Sequence, residues 1–124
     1  MANKILVVED DKDIRELLEL ELRAAGFETA YARDAVTATT AARKEQPDLV
    51  LLDLGLPGGD GFIVIERLRA LNSLEHVPVV IITARTTPEA HARATAAGVA
   101  GFYEKPFDPD EVIAGISRIL GVTA

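Results

Sequence analysis

Carboxylates, a hydroxyl and a lysine stand directly after hydrophobic runs in this chain: Glu9 and Asp10, Asp53, Thr83 and Lys105. Carboxylates brought close together repel one another, and a hard divalent cation that prefers oxygen ligands, such as Mg²⁺, removes that penalty. With Mg²⁺, the Lys105 ammonium and the Thr83 hydroxyl present, such a pocket would complement a phosphoryl group. A carboxylate nucleophile would then remain, and Asp53, on the predicted central strand, is the candidate.

Each of these residues also has an ordinary structural interpretation. Glu9 to Asp11 would serve as a helix-capping cluster, and Asp11 fits that role well. Thr83 would serve as a strand-end hydroxyl bonded to the backbone, and Lys105 as a solvated turn residue before Pro106. Taken singly, these interpretations are the more common ones. Compatible chemistry at four of five strand ends favours a functional site instead.

Five hydrophobic runs alternate with five amphipathic segments, and these elements must position the reactive residues. The runs predict strands over Lys4–Val8, Glu28–Ala32, Leu49–Leu52, from Val79 to an end at Thr83-Ala84, and over Val99–Tyr103. Capping residues and helical spacing predict helices from Asp11 or Asp13 to Gly26, from Asp34 to about Gln46, from near Asp60, from Pro88 to about Ala97, and from Asp108 or Asp110. The first helix is predicted to turn inward Ile14, Leu17, Leu18, Leu22 and Ala25. This order predicts an α/β fold, a doubly wound parallel sheet of five strands with helices on both faces.

The composition is that of an ordinary globular domain. The 124 residues are 48% hydrophobic and 27% charged, which suits one domain over residues 1–124. No cysteine is present, so disulfides and thiolate metal sites are excluded. The first hydrophobic run is too short for a signal peptide, and no segment is long enough to span a bilayer, so we expect a cytoplasmic protein without membrane contact. The net charge of −7 disfavours direct nucleic-acid binding.

From Lys4 to about Leu120 the chain resembles the receiver domain of bacterial two-component response regulators. The resemblance rests on the motifs Ile5-Leu6-Val7-Val8-Glu9-Asp10-Asp11, Asp53-Leu54-Gly55-Leu56-Pro57 with Asp60-Gly61, Thr83-Ala84, and Lys105-Pro106-Phe107. It implies a flavodoxin-like sheet with strand order 2-1-3-4-5, in which the strands carrying the reactive residues adjoin. It also implies a cis peptide bond between Lys105 and Pro106.

By the same resemblance, Asp53 is the phosphoacceptor, which takes a phosphoryl group from a phosphohistidine on a sensor histidine kinase or histidine phosphotransfer protein. The implied Mg²⁺ ligands are Asp10, Asp53, the Gly55 backbone carbonyl and waters, with Glu9 acting directly or through water. The implied ligands of the phosphoryl oxygens are Lys105, the Thr83 hydroxyl and the Ala84 N–H. The resemblance thus implies a self-phosphorylating module with slow autodephosphorylation, rather than a turnover enzyme.

The resemblance further implies that phosphorylation changes the face formed by the fourth helix, the fifth strand and the fifth helix. A downstream effector protein or domain would read that change. The implied switch residues are Thr83 and Phe102, and Phe102 stands where the family frequently has tyrosine. The adjacent Tyr103 points to the other side of the strand and does not replace that tyrosine.

Two positions that tune dephosphorylation in the family are Gly55, two residues after Asp53, and Arg85, two residues after Thr83. The DNA-binding branch of the family often carries an Asp-Asp pair just before the switch aromatic. Ala100-Gly101 stands there in this chain, which argues against the dimer of that branch.

Two other functions remain as alternatives. A Mg²⁺-dependent phosphohydrolase would also form an aspartyl-phosphate, but dehalogenase-type phosphatases carry Asp-x-Asp at the nucleophile, where this chain has Gly55 at the second position. A flavin or nucleotide carrier of the same fold would need glycines after the first strand to cradle phosphate. Glu9-Asp10-Asp11 occupies that turn instead. A phosphorylation-dependent switch acting through protein contacts therefore remains the favoured function.

Overall fold

A computed structural model of the protein describes residues 2–57 and 60–122, so that Gly58 and Gly59, in the loop after Asp53, lie outside the described residues. The elements in chain order are β1 (Lys4–Val8), α1 (Lys12–Ala24), β2 (Glu28–Ala32), α2 (Ala35–Glu45), β3 (Leu49–Leu52), α3 (Gly61–Arg69), β4 (Val79–Thr83), α4 (Pro88–Ala96), β5 (Gly101–Glu104) and α5 (Pro109–Leu120). Strands and helices alternate throughout these ranges, which confirms the predicted α/β class.

The strands form one parallel sheet in the order β2-β1-β3-β4-β5, as predicted. In this sheet β1 pairs with β3 so that Val8 lies beside Leu52. Main-chain hydrogen bonds continue past the strand ends: the Asp53 N–H donates to the Val8 carbonyl, and the Lys105 N–H to the Thr83 carbonyl, each at 3.0 Å. Residues that follow β1, β3 and β5 therefore emerge with Thr83 at one edge of the sheet.

Side chains of the inner strands alternate between two hydrophobic cores, because successive strand residues point to opposite faces of a sheet. One core lies against α2, α3 and α4 and receives from the inner strands Leu6, Val8, Val50, Leu52, Val79 and Ile81. The other lies against α1 and α5 and receives Ile5, Val7, Leu49, Leu51, Val80 and Ile82. Burial on both faces explains why these strands read as continuous hydrophobic runs rather than alternating ones.

Side-chain oxygens fix where several helices begin. The sequence left the capping residue of the first and last helices open. The Asp11 carboxylate accepts from the N–H groups of Asp13 and Ile14, so Asp11 rather than Asp13 caps α1. The Asp108 carboxylate accepts from the Asp110 N–H, so Asp108 rather than Asp110 caps α5. Asp34 and Asp60 cap α2 and α3 in the same way, and Thr87 caps α4 in front of Pro88.

The structure corrects two local predictions. Strand β5 begins at Gly101 rather than Val99, because the Val99 N–H donates to the Ala94 carbonyl and thereby closes the end of α4. Leu17, predicted to face the core, is 41% exposed, since the buried side of α1 runs through Leu18 and Leu22 instead. In the described part of the chain, none of the helices is long and apolar enough to cross a membrane.

Candidate functional site

Three carboxylates converge where β1 and β3 end. Glu9, Asp10 and Asp53 each place a carboxylate oxygen so that all three oxygens lie within 4.8 Å of one another. Glu9 is 2% exposed and Asp53 7% exposed, whereas Asp10 is open to solvent. The strand ends therefore hold two of the charges in place inside the protein and leave the third at the mouth of the site.

Lys105 is the counter-charge to the two buried carboxylates. Its Nζ lies 2.6 Å from Glu9 Oε1 and 3.1 Å from Asp53 Oδ2. Burial raises the pKa of Glu9 to about 7, although the hydrogen bond from Lys105 opposes that rise. Burial alone would lower the pKa of Lys105, but its contacts with Glu9 and Asp53 raise it above its ordinary value. The raised pKa of Glu9 therefore lies near neutral pH, where the neighbouring Lys105 ammonium keeps its charge.

Main-chain and hydroxyl groups complete the edge around Asp53. The Gly55 N–H donates to Asp53 Oδ1 at 3.1 Å, and a Cβ added to Gly55 would lie 3.9 Å from the same oxygen. Thr83 is buried, and its hydroxyl oxygen accepts a hydrogen bond from the Arg85 N–H at 3.0 Å. Ala84 is exposed at this edge. The peptide bond between Lys105 and Pro106 is cis, as predicted.

The donor set of this site suits a hard divalent cation. All three converging side chains offer carboxylate oxygens, and neither nitrogen nor sulfur ligands stand among them. Acidic clusters on protein surfaces are common without a metal, but two members of this cluster are buried and share one ammonium between them. A bound cation would relieve the repulsion that remains.

Comparison with known proteins agrees with this geometry. The family model of the response regulator receiver domain matches residues 5–117. The chain belongs to that family. It is 38% identical over 120 residues to the phosphate regulon transcriptional regulatory protein PhoB of Escherichia coli, an alignment that covers 97% of this chain and 52% of PhoB. It is 42% identical over 116 residues to the DNA-binding response regulator MtrA of Mycobacterium tuberculosis, covering 94% of this chain and 50% of MtrA.

The receiver chain thus spans about half the length of these curated relatives. Among solved structures it superposes on the receiver domain of the sensor histidine kinase PA1611 of Pseudomonas aeruginosa with a TM-score of 0.88 and 27% identity, covering 98% of this chain and 99% of that domain. That structure holds a magnesium ion in the active-site cleft. The family and the flavodoxin-like fold predicted from the sequence are therefore confirmed.

Two neighbouring aromatic residues of this receiver domain lie on opposite faces of β5. Phe102 packs towards α4, where its ring stacks on His91 with the centroids 4.0 Å apart. Tyr103 packs towards α5, where its hydroxyl occupies the space that a Cβ on Gly115 would fill. The prediction that Tyr103 points away from Phe102 is confirmed, and both rings are half-buried.

One charged cluster beside the site was not predicted from the sequence. Asp60, identified from the sequence near a helix start and in the Asp60-Gly61 part of the family motif, accepts hydrogen bonds from the guanidinium groups of both Arg85 and Arg93. These partners lie 25 and 33 residues away from Asp60. Helix capping explains an aspartate at this position without any arginine, so the sequence held no signal for the pairs. The predicted side chains at the strand ends are nevertheless brought to one edge.

Proposed function

We propose that this receiver domain is a phosphorylation-dependent switch with Asp53 as its phosphoacceptor. The observation that carries the proposal is a buried carboxylate at the end of the central strand, 3.1 Å from the Lys105 ammonium and next to two further carboxylates. This arrangement supplies a nucleophile with a fixed cation beside it for the incoming phosphoryl oxygens.

The acidic residues would hold Mg²⁺, and the proposed ligands are Asp10, Asp53, the Gly55 backbone carbonyl and Glu9, directly or through water. When bound, the ion supplies charge neutralisation for the phosphoryl group. Glu9 must lose its proton to act as a ligand, and the raised pKa of Glu9 makes that loss incomplete at neutral pH. The metal-bound state of a related receiver domain supports this assignment.

Phosphoryl transfer would begin from a phosphohistidine of a sensor histidine kinase or a histidine phosphotransfer protein. An Asp53 carboxylate oxygen forms a bond to phosphorus while the bond between phosphorus and the histidine nitrogen breaks, and the imidazole keeps the electron pair. Lys105 balances charge on one phosphoryl oxygen, and the Thr83 hydroxyl and Ala84 N–H donate to another. The domain itself is phosphorylated and later dephosphorylated, and it does not convert a separate substrate. It would therefore act as a self-phosphorylating module and not as a conventional enzyme.

Loss of the phosphoryl group would require a water molecule to reach phosphorus. Gly55 leaves open space next to Asp53, since a Cβ at that position would stand only in ordinary contact with the carboxylate. Arg85 follows Thr83 closely, and its N–H already holds the Thr83 hydroxyl. We assign the tuning of the lifetime of the phosphorylated state to these two positions.

The output would run through Thr83 and Phe102 to the face formed by α4, β5 and α5. An effector protein or domain in the cytoplasm would read this face. Direct contact of this region with nucleic acid is not supported by its net charge of −7. The relative MtrA is a DNA-binding response regulator, and this chain matches only half of its length.

Incubation with acetyl phosphate and Mg²⁺ tests the proposal directly. Intact-protein mass spectrometry should show one added phosphoryl group that survives acid and is removed by base, as expected of an acyl phosphate. The same incubation without Mg²⁺ is the control and should give little product. Continuous release of inorganic phosphate without an accumulated phosphoprotein would contradict the switch and favour a phosphohydrolase.

A further inference from the structure

The carboxylate of Asp60 connects three parts of the molecule. Its Oδ1 accepts from the Phe62 N–H at 3.0 Å and so caps α3. Its Oδ2 accepts from Arg85 Nη1 at 3.3 Å and from Arg93 Nη1 at 3.1 Å. Asp60 therefore ties the start of α3 to the loop after β4 and to α4.

Arg85 is held at both ends beside the phosphorylation site. Its N–H donates to the Thr83 hydroxyl, and its guanidinium pairs with Asp60. Within the described residues, the Asp53 carboxylate has an ion pair with Lys105 and none with Arg85. The backbone of Arg85 thus lies beside the site, and its guanidinium points away from the Asp53 carboxylate.

The contact between Asp60 and Arg85 is weak enough to exchange. The Arg85 side chain is 41% exposed and the Asp60 side chain 31% exposed, and ion pairs this open to water contribute little. Partial burial acts against ionisation of Asp60, yet the Phe62 N–H and the two arginines keep its pKa below the ordinary value. A phosphoryl group carries more negative charge than one carboxylate and would compete with Asp60 for the guanidinium, so that Arg85 would be shared between the two.

We propose that Asp60 is a positioning residue that holds the Arg85 guanidinium away from Asp53 and thereby shortens the lifetime of the phosphorylated state. This inference rests on the proposed phosphorylation of Asp53. In hydrolysis, a water oxygen bonds to phosphorus, the bond between phosphorus and Asp53 breaks, the carboxylate keeps the electron pair, and the water proton passes to solvent. A released Arg85 pairs with the phosphoryl oxygens and obstructs the approach of that water.

Asp60→Asn is the variant that tests this role, because asparagine keeps the helix cap and removes the charge that holds Arg85. Wild type, Asp60→Asn, Arg85→Ala and the double variant are phosphorylated with acetyl phosphate and Mg²⁺, and the decay is followed by intact mass after the donor is removed. Asp60→Asn should slow the decay about three-fold. The double variant should decay at the rate of Arg85→Ala. An unchanged decay in Asp60→Asn, or the same slowing when Arg85 is absent, would overturn the proposal.

Arg93→Ala is the matched control, since it removes the second arginine from Asp60 and leaves the pair with Arg85. The phosphorylated Arg93→Ala protein should decay at the wild-type rate. If its decay is instead slowed as much as that of Asp60→Asn, the slowing in Asp60→Asn comes from the lost contact between α3 and α4 and not from the release of Arg85. The two proposals fail separately. If wild type takes up no phosphoryl group, the proposed function is wrong. If wild type is phosphorylated and Asp60→Asn behaves like it, only the role of Asp60 is wrong.

Discussion

The two halves of the functional edge are built differently. At the ends of β1 and β3 the reacting groups follow strands whose side chains are almost wholly buried: Leu49 to Leu52 are at most 2% exposed. On the other half, every residue of β5 is half-buried or exposed. The carboxylates, including the proposed phosphoacceptor Asp53, thus follow almost wholly buried strands. Phe102, which would report the reaction, and Lys105 lie on or directly after the more exposed strand β5.

The position of β5 at the edge of the sheet accounts for its exposure, and the two helices that flank β5 differ in how much they bury. Within the described chain, α4 buries only Ala90 and Ala94, so little apolar area anchors it to the sheet. The α5 helix buries Val112, Ile113 and Ile116 against the opposite face. A helix that buries only two methyl groups against the sheet shifts at lower cost than one that buries branched side chains, and low-stability elements are the ones expected to move in a switch. We therefore expect α4, rather than α5, to be the helix that moves with β5.

The largest expected effect comes from Asp53→Asn on the rigid half. This substitution removes the nucleophile but keeps the shape of the side chain and an oxygen for the Gly55 N–H. Phosphoryl uptake from acetyl phosphate should be lost entirely, while the thermal unfolding curve stays that of a folded domain. Uptake at the wild-type rate, measured by intact mass, would show that another residue is the phosphoacceptor.

Mg²⁺ binding should distinguish two adjacent acidic residues on the same half. Asp10→Ala should weaken binding on the order of ten-fold, because Asp10 belongs to the three-carboxylate cluster. Asp11→Ala is the matched control, since the Asp11 carboxylate is engaged with the first N–H groups of α1. Isothermal titration with MgCl₂ provides the measurement. Equal losses in the two variants would refute this division of roles.

A pair of glycine substitutions compares the packing of the two halves. A Cβ on Gly61 would stand 2.7 Å from the Leu54 Cα and 2.8 Å from the Asp53 carbonyl oxygen, so Gly61→Ala should cost about 1–3 kcal/mol of unfolding free energy. A Cβ on Gly115 would meet the Tyr103 hydroxyl, the far end of a side chain that can move. Gly115→Ala should therefore lose less, because alanine also gains up to about 1 kcal/mol of helix propensity. Urea unfolding of both variants checks the order, and a greater loss in Gly115→Ala would reverse the comparison.

The smallest effect is expected from Phe102→Ala on the loosely packed half. The variant loses the stacking on His91, and an aromatic pair contributes about 0.5–1.5 kcal/mol, so amide hydrogen exchange in α4 should accelerate a few-fold. Phosphoryl uptake should be nearly unchanged. Tyr103→Ala is the control, since Tyr103 faces α5 and its loss should leave α4 exchange as in wild type. Equal acceleration in both variants would mean that β5 as a whole, not Phe102, restrains α4.

Most of the fold followed from the sequence because its signals are local. Continuous hydrophobic runs, capping aspartates and glycine at the helix ends fixed all ten predicted elements, and the strand order came from the family resemblance. The predicted ends of helices and strands were less accurate where one backbone N–H can bond to either of two carbonyl groups. The Val99 N–H, for example, bonds to the end of α4 instead of extending β5.

The site was predicted as a set of strand ends, but its internal contacts were not. Nothing local indicates that Lys105 bridges Glu9 and Asp53, since that geometry depends on how the strands stagger. The pairs of Asp60 with Arg85 and Arg93, and the stacking of His91 on Phe102, likewise join residues far apart in the chain or on different elements. Such contacts arise from the tertiary arrangement and leave no periodicity in the sequence.

Amide NMR of the wild-type protein with Mg²⁺ and beryllium fluoride, a phosphoryl analogue, tests the central claim most directly. Chemical shift changes should appear in the loops after Asp53 and Thr83 and extend to Phe102 and α4, while the strand amides of β1 remain near their original positions. Changes that stay confined to the two loops, without reaching Phe102 or the helix from Pro88 to Ala96, would contradict the proposed division into a rigid half that reacts and a mobile half that reports.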